Sequence, residues 1–186
     1  MTIKIDQNLT LELTAEKHAK VLYDAVDNNR EHLSKFLPWV GNMQSVNDFQ
    51  NYIKSCEILY LQGKEVSFVI ISNDDTVGRI GLHHLDTQNK NAAIGYWLTK
   101  NAEGKGIITK SCEAIINYGF QKLELQRIEI KAAVENLRSR AIPEKFCFTK
   151  EGILRQAELV NGKFLDLVLY SIVRSEWMEN KKHLIH

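Results

Sequence analysis

Two closely spaced glycines, Gly104 and Gly106, lie between an apolar stretch and an amphipathic stretch. The apolar stretch, 94–98, predicts a strand, and the amphipathic stretch, 109–123, predicts a helix. Glycines at such a junction let several backbone N–H groups point at one ligand, and the helix dipole adds partial positive charge there. The segment therefore predicts an anion site suited to a phosphate or pyrophosphate. A tight turn before a helix is the alternative interpretation.

Two common phosphate-binding motifs do not fit this loop. A P-loop needs an additional glycine at the position that Thr99 occupies. A dinucleotide-binding fingerprint needs a third glycine at the position of Thr109. The loop therefore matches neither a nucleoside-triphosphate motif nor a dinucleotide motif, and the phosphate compound that it suits is of another kind.

Composition restricts the class of protein. The 186 residues carry 24 basic and 23 acidic side chains, which gives a formal net charge of +1. This near-neutral charge offers no reason to expect nucleic-acid binding, and it leaves a locally basic or acidic site possible. No apolar run approaches the roughly 18 residues of a membrane span, and residues 1–10 do not resemble a signal peptide. We therefore expect one cytoplasmic domain, 1–186, that neither enters a membrane nor binds nucleic acid directly.

The three cysteines, Cys56, Cys112 and Cys147, form no paired motif. An odd and widely spaced set predicts neither a disulfide framework nor a zinc site, so we expect no metal. Cys147 as a catalytic nucleophile would need a neighbouring base, and no histidine lies near it in the sequence.

Hydrophobic periodicity predicts strands and helices that share one sheet. One or two strands are predicted at 2–13, further strands at 66–71, 77–85, 94–98, 128–134 and 165–173, and helices at 14–26, 47–59, 109–123 and 139–146. Asn47 is the predicted N-cap of the second helix, and Pro143 predicts a late start for the last one. The strand–loop–helix–strand order of 94–134 predicts a crossover between two parallel strands.

A series of segments in a specific order carries a resemblance to a known family. The segments are 32–39, 94–98, 103–109, 123–129, 135–140, 143–146, 151–155 and 161–170. The series strongly resembles the GNAT acetyltransferase superfamily and, within it, the RimJ/RimL-type ribosomal-protein N-acetyltransferases. Three positions depart from the usual pattern, because Glu103 replaces Gln or Arg, Ile108 replaces Gly or Ala, and Cys147 replaces Gly.

The resemblance implies an α+β (mixed α/β) chain with the GNAT fold. The central twisted sheet of this fold is mostly antiparallel, with one splayed pair of parallel strands and helices on both faces. Acetyl-coenzyme A would lie between the splayed strands, which are 94–98 and 128–134 in this chain, with its pyrophosphate on the loop amides. The implied cofactor-binding residues are Trp97, Leu98, Gly104, Lys105, Gly106, Ile107, Ile108, Thr109, Asn136 and Ser139.

The same resemblance implies the catalytic residues of an acetyl transfer to a primary amine. Such a transfer needs a neutral amine, a polarised thioester carbonyl and a protonated leaving thiolate. Glu158 matches the position of the general base, and Ser139 matches the proton donor to the thiolate. A solvated surface carboxylate is the alternative for Glu158, and a helix N-cap is the alternative for Ser139.

The acceptor amine is less well defined by the sequence. Phe36, Trp39, His83 and Glu158 are the candidate substrate-binding residues, with core packing as the alternative for the two aromatic residues and a structural role as that for His83. We predict the α-amine of a protein N-terminus, such as that of a ribosomal protein. Acetylation of a polyamine, an aminoglycoside or a metabolite is the second hypothesis, and coenzyme A binding without turnover is the third. Exposed strand edges near the C-terminus would permit a homodimer or a higher homo-oligomer.

Overall fold

The computed structural model describes residues 1–183, and in this part of the chain it contains eight strands and six α-helices. The strands are β1 (Thr2–Lys4), β2 (Leu9–Leu13), β3 (Val66–Ser72), β4 (Asp75–Asp86), β5 (Asn91–Leu98), β6 (Arg127–Ala133), β7 (Thr149–Val160) and β8 (Lys163–Val173). The helices are α1 (Ala19–Asp27), α2 (Arg30–Leu33), α3 (Val46–Leu61), α4 (Ile107–Gln121), α5 (Leu137–Lys145) and α6 (Arg174–His183). Among these helices, none is long and apolar enough to cross a membrane.

The strands form one sheet in the order β1-β2-β3-β4-β5-β6-β8-β7, with β5 and β6 as its parallel pair. This pair is joined through four residue positions, from Asn91–Arg127 to Ile94–Ile130. Beyond that point β5 stays paired with β4 as far as Leu98, and β6 stays paired with β8. The two parallel strands therefore separate while each keeps its other neighbour. The mixed fold with a splayed parallel pair, predicted from the sequence, is confirmed.

Helices cover both faces of the sheet because successive residues of the central strands point in opposite directions. Phe68 and Ile70 of β3 pack in the cluster that contains the apolar face of α4. Val69, between them, packs in the cluster that contains α1 and α3. Each fully buried side chain of this kind stabilises the fold by about 1.5–3 kcal/mol relative to its exposure. The resulting two-sided core holds the open ends of β5 and β6 in place.

Two details of the elements differ from the sequence-based predictions. The N-cap of α3 is Ser45 and not Asn47, because the Ser45 hydroxyl accepts the Asp48 N–H at 3.2 Å. Strand β7 was not among the predicted strands. Almost all of its side chains are exposed, so it shows no alternation of apolar and polar residues that would indicate a strand. It exists because it pairs with β8 along most of its length.

The late start predicted for α5 is wrong. The helix begins at Leu137, with Asn136 as its N-cap, and Pro143 lies inside it. A proline lacks the N–H that would bond to the carbonyl four residues earlier, which is that of Ser139. This carbonyl has another partner, since it accepts the hydroxyl of Tyr96 at 2.8 Å. The proline therefore frees a backbone acceptor that links α5 to β5.

The end of α5 explains the family position at which this chain has Cys147. Cys147 has a φ of +57°, in the left-handed region that glycine adopts without strain. Its N–H bonds to the carbonyl of Glu144 at 3.1 Å, and the N–H of Phe148 bonds to that of Pro143 at 3.0 Å. This pair of hydrogen bonds is the Schellman motif, in which glycine is the preferred residue at the position of Cys147.

Cys147→Gly is expected to stabilise the protein. The left-handed conformation costs a residue with a Cβ about 1–2 kcal/mol, and the extra freedom of glycine in the unfolded chain offsets part of that gain. We expect a net gain of about 0.5–1 kcal/mol, seen as a rise of about 1–4 °C in the thermal midpoint. Cys147→Ala removes the same thiol but keeps the Cβ, so it should show no such rise. Equal rises in both variants would contradict the backbone explanation.

Candidate active site

A cleft of about 810 Å³ opens where β5 and β6 separate. Its wall is formed by the end of β5, the first turn of α4, the start of α5 and the segment after α2. Nine of the ten predicted cofactor-binding residues lie on this wall: Trp97, Leu98, Gly104, Gly106, Ile107, Ile108, Thr109, Asn136 and Ser139. The tenth, Lys105, is exposed and lies outside the wall. The cleft thus gathers residues from two distant parts of the sequence.

The two loop glycines shape one end of the cleft. Gly104 and Gly106 have φ angles of +75° and +74°, which side chains with a Cβ rarely adopt. Gly106 is the N-cap residue of α4, so the helix begins at Ile107, two residues before the predicted start at Thr109. The N–H groups of a first helical turn have no partner within the helix, and here the residues of that turn line the cleft. This geometry matches the anion site expected from the spacing of the glycines.

Glu103 places a negative charge beside the anion site, but basic groups surround it. Its carboxylate contacts Nε2 of His32 at 3.0 Å, Nζ of Lys100 at 3.6 Å and the guanidinium of Arg138. All four side chains border the cleft, which also has Lys35 on its wall. The mouth of the cleft therefore has more positive than negative groups, and Glu103 holds several of them together in the free protein.

A second cavity of about 430 Å³ adjoins the first. All four candidate substrate-binding residues, Phe36, Trp39, His83 and Glu158, lie on its wall. The walls of the two cavities share six residues: Phe36, Leu37, Tyr96, Trp97, Asn136 and Ser139. A molecule in the cleft and a molecule in the second cavity can therefore meet beside Ser139.

Ser139 is held at this meeting point by two neighbours. Its N–H donates to Oδ1 of Asn136 at 3.2 Å, so Asn136 is the N-cap and Ser139 is not. Its hydroxyl lies 3.3 Å from the hydroxyl of Tyr96, which donates its own proton to the Ser139 carbonyl. Burial raises the pKa of Tyr96 above its ordinary value, so this phenol stays protonated. The Ser139 hydroxyl is thereby held in one position on the wall of both cavities.

An irregularity in β7 brings Glu158 to the second cavity. The pairing of β7 with β8 shifts between Leu154 and Glu158, where Gln156 adopts a φ of +50°. The N–H of Gln156 is held by Oδ1 of Asp166 at 2.7 Å, which fixes the bulge. Bulges of this kind redirect the side chains that follow them. Glu158 then lies on the same face of the strand as buried Val160, toward the cavity.

The environment of Glu158 is that of a proton acceptor. The side chain is half-buried, and in the described part of the chain no basic group forms an ion pair with it. Burial raises its pKa above the ordinary value of a glutamate. An unpaired, partly desolvated carboxylate beside a cavity attracts a cationic group and takes a proton from it more readily than a solvated one.

The structure also shows site residues that sequence reasoning missed. Tyr96 was singled out only as one of two alternating aromatic residues, and its contact with Ser139 joins positions 43 residues apart. Arg79 lines the second cavity, Glu65 contacts both Arg79 and His83 there, and Arg138 reaches Glu103 across 35 residues. No local spacing connects these partners, so no motif indicates them. Only the fold brings them together.

The geometry of the two cavities defines a class of protein. It combines three features: the glycine loop with the first turn of α4, the cleft between the splayed strands, and the adjoining cavity with its unpaired carboxylate. Together they suit a group-transfer enzyme that brings an anionic carrier to a second molecule. The acetyltransferase (GNAT) domain family matches residues 8–149. The chain belongs to this family and is an acetyltransferase, as the resemblance predicted.

Relatives of similar length support the same assignment. The chain is 38% identical over 181 residues to the putative ribosomal N-acetyltransferase YdaF of Bacillus subtilis (strain 168), covering 97% of this chain and 99% of the relative. It is 35% identical to a ribosomal-protein-serine acetyltransferase of Escherichia coli (strain K12), covering 91% and 95%. The solved structure of RimL, a ribosomal L7/L12 α-N-protein acetyltransferase in complex with coenzyme A, matches with a TM-score of 0.90 at 27% identity, covering 93% and 98%.

Proposed function

We propose that residues 1–186 form one acetyltransferase domain that transfers the acetyl group of acetyl-coenzyme A to the α-amine of a protein N-terminus, with a ribosomal protein as the acceptor. The observation that carries this proposal is the meeting of the two cavities beside Ser139, with the free Glu158 carboxylate in the second one. The names of the relatives described above support the choice of acceptor. A ribosomal acceptor places the protein in the cytoplasm.

The cofactor cleft suits coenzyme A in its shape and its charge. The amides of the loop and of the first turn of α4 would bind the pyrophosphate, as at other helix N-termini. Lys35, Lys100 and Arg138 are within the same cleft and would attract the remaining phosphate. Trp97, Leu98 and Asn136 line the path between the loop and Ser139, where the pantetheine arm would lie. The thioester would then reach the residues that line both cavities, beside Ser139.

Glu103→Gln is expected to strengthen coenzyme A binding. Removal of the carboxylate releases Arg138 and Lys100 for the phosphates and removes a repulsive charge, an effect of about two- to fivefold for exposed groups. Isothermal titration calorimetry at low and high salt measures it, and the gain should shrink as salt screens the charges. Glu113→Gln, an exposed carboxylate on α4 outside the cleft, is the matched control. Weaker binding by Glu103→Gln would contradict this account.

The reaction follows from the placement of two residues. Glu158 takes a proton from the amine as its nitrogen attacks the thioester carbonyl, and the carbon–sulfur bond breaks as the carbon–nitrogen bond forms. The Ser139 hydroxyl gives its proton to the departing thiolate, and the proton on Glu158 restores that hydroxyl. The neutral amine and acetyl-coenzyme A thereby become the amide and coenzyme A, and Glu158 and Ser139 return to their starting protonation states. Both substrates are present together, so no acetylated enzyme is required.

A thiol-release assay tests the proposal. Purified protein and acetyl-coenzyme A are mixed with peptides that carry ribosomal-protein N-termini, with polyamines or with aminoglycosides, and free coenzyme A is recorded. Release with a peptide, but not with the same peptide already acetylated at its N-terminus, is the expected result. Release only with a small amine would favour the second hypothesis from the sequence. No release, with coenzyme A binding still measurable by calorimetry, would favour binding without turnover.

The homodimer or higher oligomer expected from the sequence stays a prediction. Strand β7 forms an edge of the sheet, and it leaves Ile153 and Leu159 exposed, beside Phe164 of β8. Sedimentation velocity of the purified protein, with and without coenzyme A, measures the oligomeric state directly. A monomer at micromolar concentration would contradict the prediction.

A further inference from the structure

A buried carboxylate lies behind the second cavity, which is the acceptor cavity of the proposed function. Glu65 precedes β3 and is 9% exposed. Its oxygen Oε1 accepts a hydrogen bond from the guanidinium of Arg79 at 2.9 Å. Its other oxygen, Oε2, lies 3.1 Å from Nδ1 of His83. Each oxygen therefore has its own partner, and Glu65 cannot turn away from His83 without losing the bond to Arg79.

Arg79 fixes Glu65 and keeps it ionised. The guanidinium is 7% exposed and also donates to the hydroxyls of Tyr52 and Ser67. Burial by itself would raise the pKa of Glu65, but the hydrogen bond from His83, the positive charge of that ring when it is protonated, and the charge and hydrogen bond of Arg79 outweigh it and lower this pKa to about 2. A buried charge persists only when it is paired in this way. Glu65 is thus a permanent anion that accepts a hydrogen bond from His83.

This bond determines which nitrogen of His83 is free. Because Glu65 accepts at Nδ1, that nitrogen carries the hydrogen, and the neutral ring keeps a lone pair on Nε2. His83 borders the acceptor cavity, and among residues 1–183 no protein group bonds to Nε2. A Cβ added at Gly95 on β5 would crowd this ring, at 3.3 Å from Nε2, so the glycine lets His83 lie against β5. A second group able to accept a proton, besides Glu158, therefore lies on the cavity wall.

The reaction requires two groups that accept protons. An amine enters with three N–H bonds as an ammonium group, and the amide that leaves has one. One of the two lost protons ends on the sulfur of coenzyme A, and the other leaves the site. The proton that Glu158 takes is replaced on the sulfur by the proton of Ser139, and it then restores the Ser139 hydroxyl. The proton that turns the ammonium into a nucleophile needs a separate acceptor, and an α-amine with a pKa of about 7.7–8.0 is mostly protonated at pH 7.

We propose that His83, oriented by Glu65, takes the first proton from the acceptor's ammonium group and so presents a neutral amine to the thioester. The inference rests on the proposed function above. One N–H bond of the ammonium breaks, a hydrogen bonds to Nε2, and the electron pair stays on the amine nitrogen. The imidazolium is stabilised by Glu65 and then loses its proton to solvent, since a quarter of the His83 side chain is exposed. Glu65 acts through His83 and is a positioning residue.

Other titratable groups share this cavity and must be considered with His83. They come from α3, β4, β5, β6 and β7, and they are Tyr52, Arg79, His84, Tyr96, Lys131 and Glu158. Burial raises the pKa of Tyr52 and of Tyr96, so neither phenol accepts a proton near neutrality. Arg79 and Lys131 carry positive charge and are not acceptors. Glu158 and His84 remain as the groups to be separated from His83 by experiment.

The test is the pH dependence of the loss caused by His83→Gln. Glutamine can still donate a hydrogen bond to Glu65, but it takes no proton from an amine. With a peptide acceptor, kcat/KM should fall about tenfold at pH 7, because only roughly a tenth of an α-amine with a pKa of about 7.7–8.0 is already neutral at that pH. At pH 9 the free α-amine is already neutral, so the loss should nearly vanish. Affinity for coenzyme A and the thermal midpoint should stay close to those of the wild type.

Further variants separate His83 from its surroundings. Glu65→Gln should show a smaller loss with the same pH dependence, and imidazole added to His83→Ala should restore activity at pH 7. His84→Asn is the matched comparison, since the neighbouring histidine is exposed and has no carboxylate partner in the described residues. A loss independent of pH in His83→Gln, no loss at pH 7, or an equal pH-dependent loss in His84→Asn would overturn the inference. A wild type that binds coenzyme A but acetylates no acceptor would overturn the proposed function instead.

Discussion

Glu158→Gln is expected to lower kcat for a peptide acceptor by about a hundredfold or more, the effect typical of a lost general base. The substitution keeps the size of the side chain and removes its charge and its ability to take a proton. In the described part of the chain Glu158 has no basic partner, so the change leaves no buried cation without its counter-ion. Single-turnover measurement of acetyl transfer separates this chemical step from product release. The apparent affinity for a cationic acceptor should also fall, because the cavity loses a negative charge.

A matched control distinguishes catalysis from a general change of charge. Glu135→Gln removes the same charge at a carboxylate that is largely exposed, pairs with Lys163 at 3.3 Å and borders neither cavity. It should acetylate at the wild-type rate, and both variants should bind coenzyme A as the wild type does. A rate for Glu158→Gln within about threefold of the wild type would reject Glu158 as the base, because the loss of a general base lowers the rate by about a hundredfold or more. His83 and His84 would then be the remaining proton acceptors on the cavity wall.

The parts of the site that depend on local sequence were predictable. The loop from Gly104 to Gly106 and the helix after it follow from glycine spacing and apolar periodicity, which act over one or two turns. The parallel pairing of β5 and β6 follows from the handedness and length of the crossover between them. These elements are predictable because interactions between residues close in the sequence determine them. The start of α4 was placed two residues late because Gly106, rather than Thr109, ends the loop.

The position of Glu158 was predictable only through the family resemblance. Strand β7 lacks alternating hydrophobicity, and the bulge at Gln156 that directs Glu158 into the cavity depends on Asp166 in the opposite strand. A sequence pattern read along one strand contains no information about such a partner. The same holds for α5, where Pro143 suggested a late start. The hydroxyl of Tyr96, supplied by another strand, satisfies the carbonyl that the proline leaves free.

Contacts between distant segments determine the electrostatics of both cavities. The charge of Glu103, beside the loop glycines, is balanced because His32 and Arg138 reach it from α2 and α5. Nδ1 of His83 on β4 lies against Glu65, which precedes β3 and is itself held by Arg79. From the sequence alone, each of these charged or polar residues would be predicted to lie exposed on the surface. Their chemical character arises from pairing, which only the folded chain provides.

Gly106→Val is expected to weaken coenzyme A binding by about 5- to 150-fold. Gly106 has a φ of +74°, and a β-branched residue in that conformation carries about 1–3 kcal/mol of strain. A Cβ at this position would meet no atom within 4 Å, so the effect is one of backbone conformation and not of collision. In the free variant the loop relaxes and its N–H groups turn away from the cleft. Binding must then restore the strained conformation, and calorimetry measures that cost as lost affinity.

Gly63→Val is the control that makes this prediction specific. Gly63 follows α3, has a φ of +67° and likewise has open space around its Cβ position, but it borders neither the cofactor cleft nor the acceptor cavity. Gly63→Val introduces the same backbone strain at a turn outside the cleft, where it lowers thermal stability. Only Gly106→Val should lose affinity for coenzyme A. Equal affinities in the two variants would show that the loop amides do not bind the pyrophosphate, and the basic side chains of the cleft would then have to account for binding.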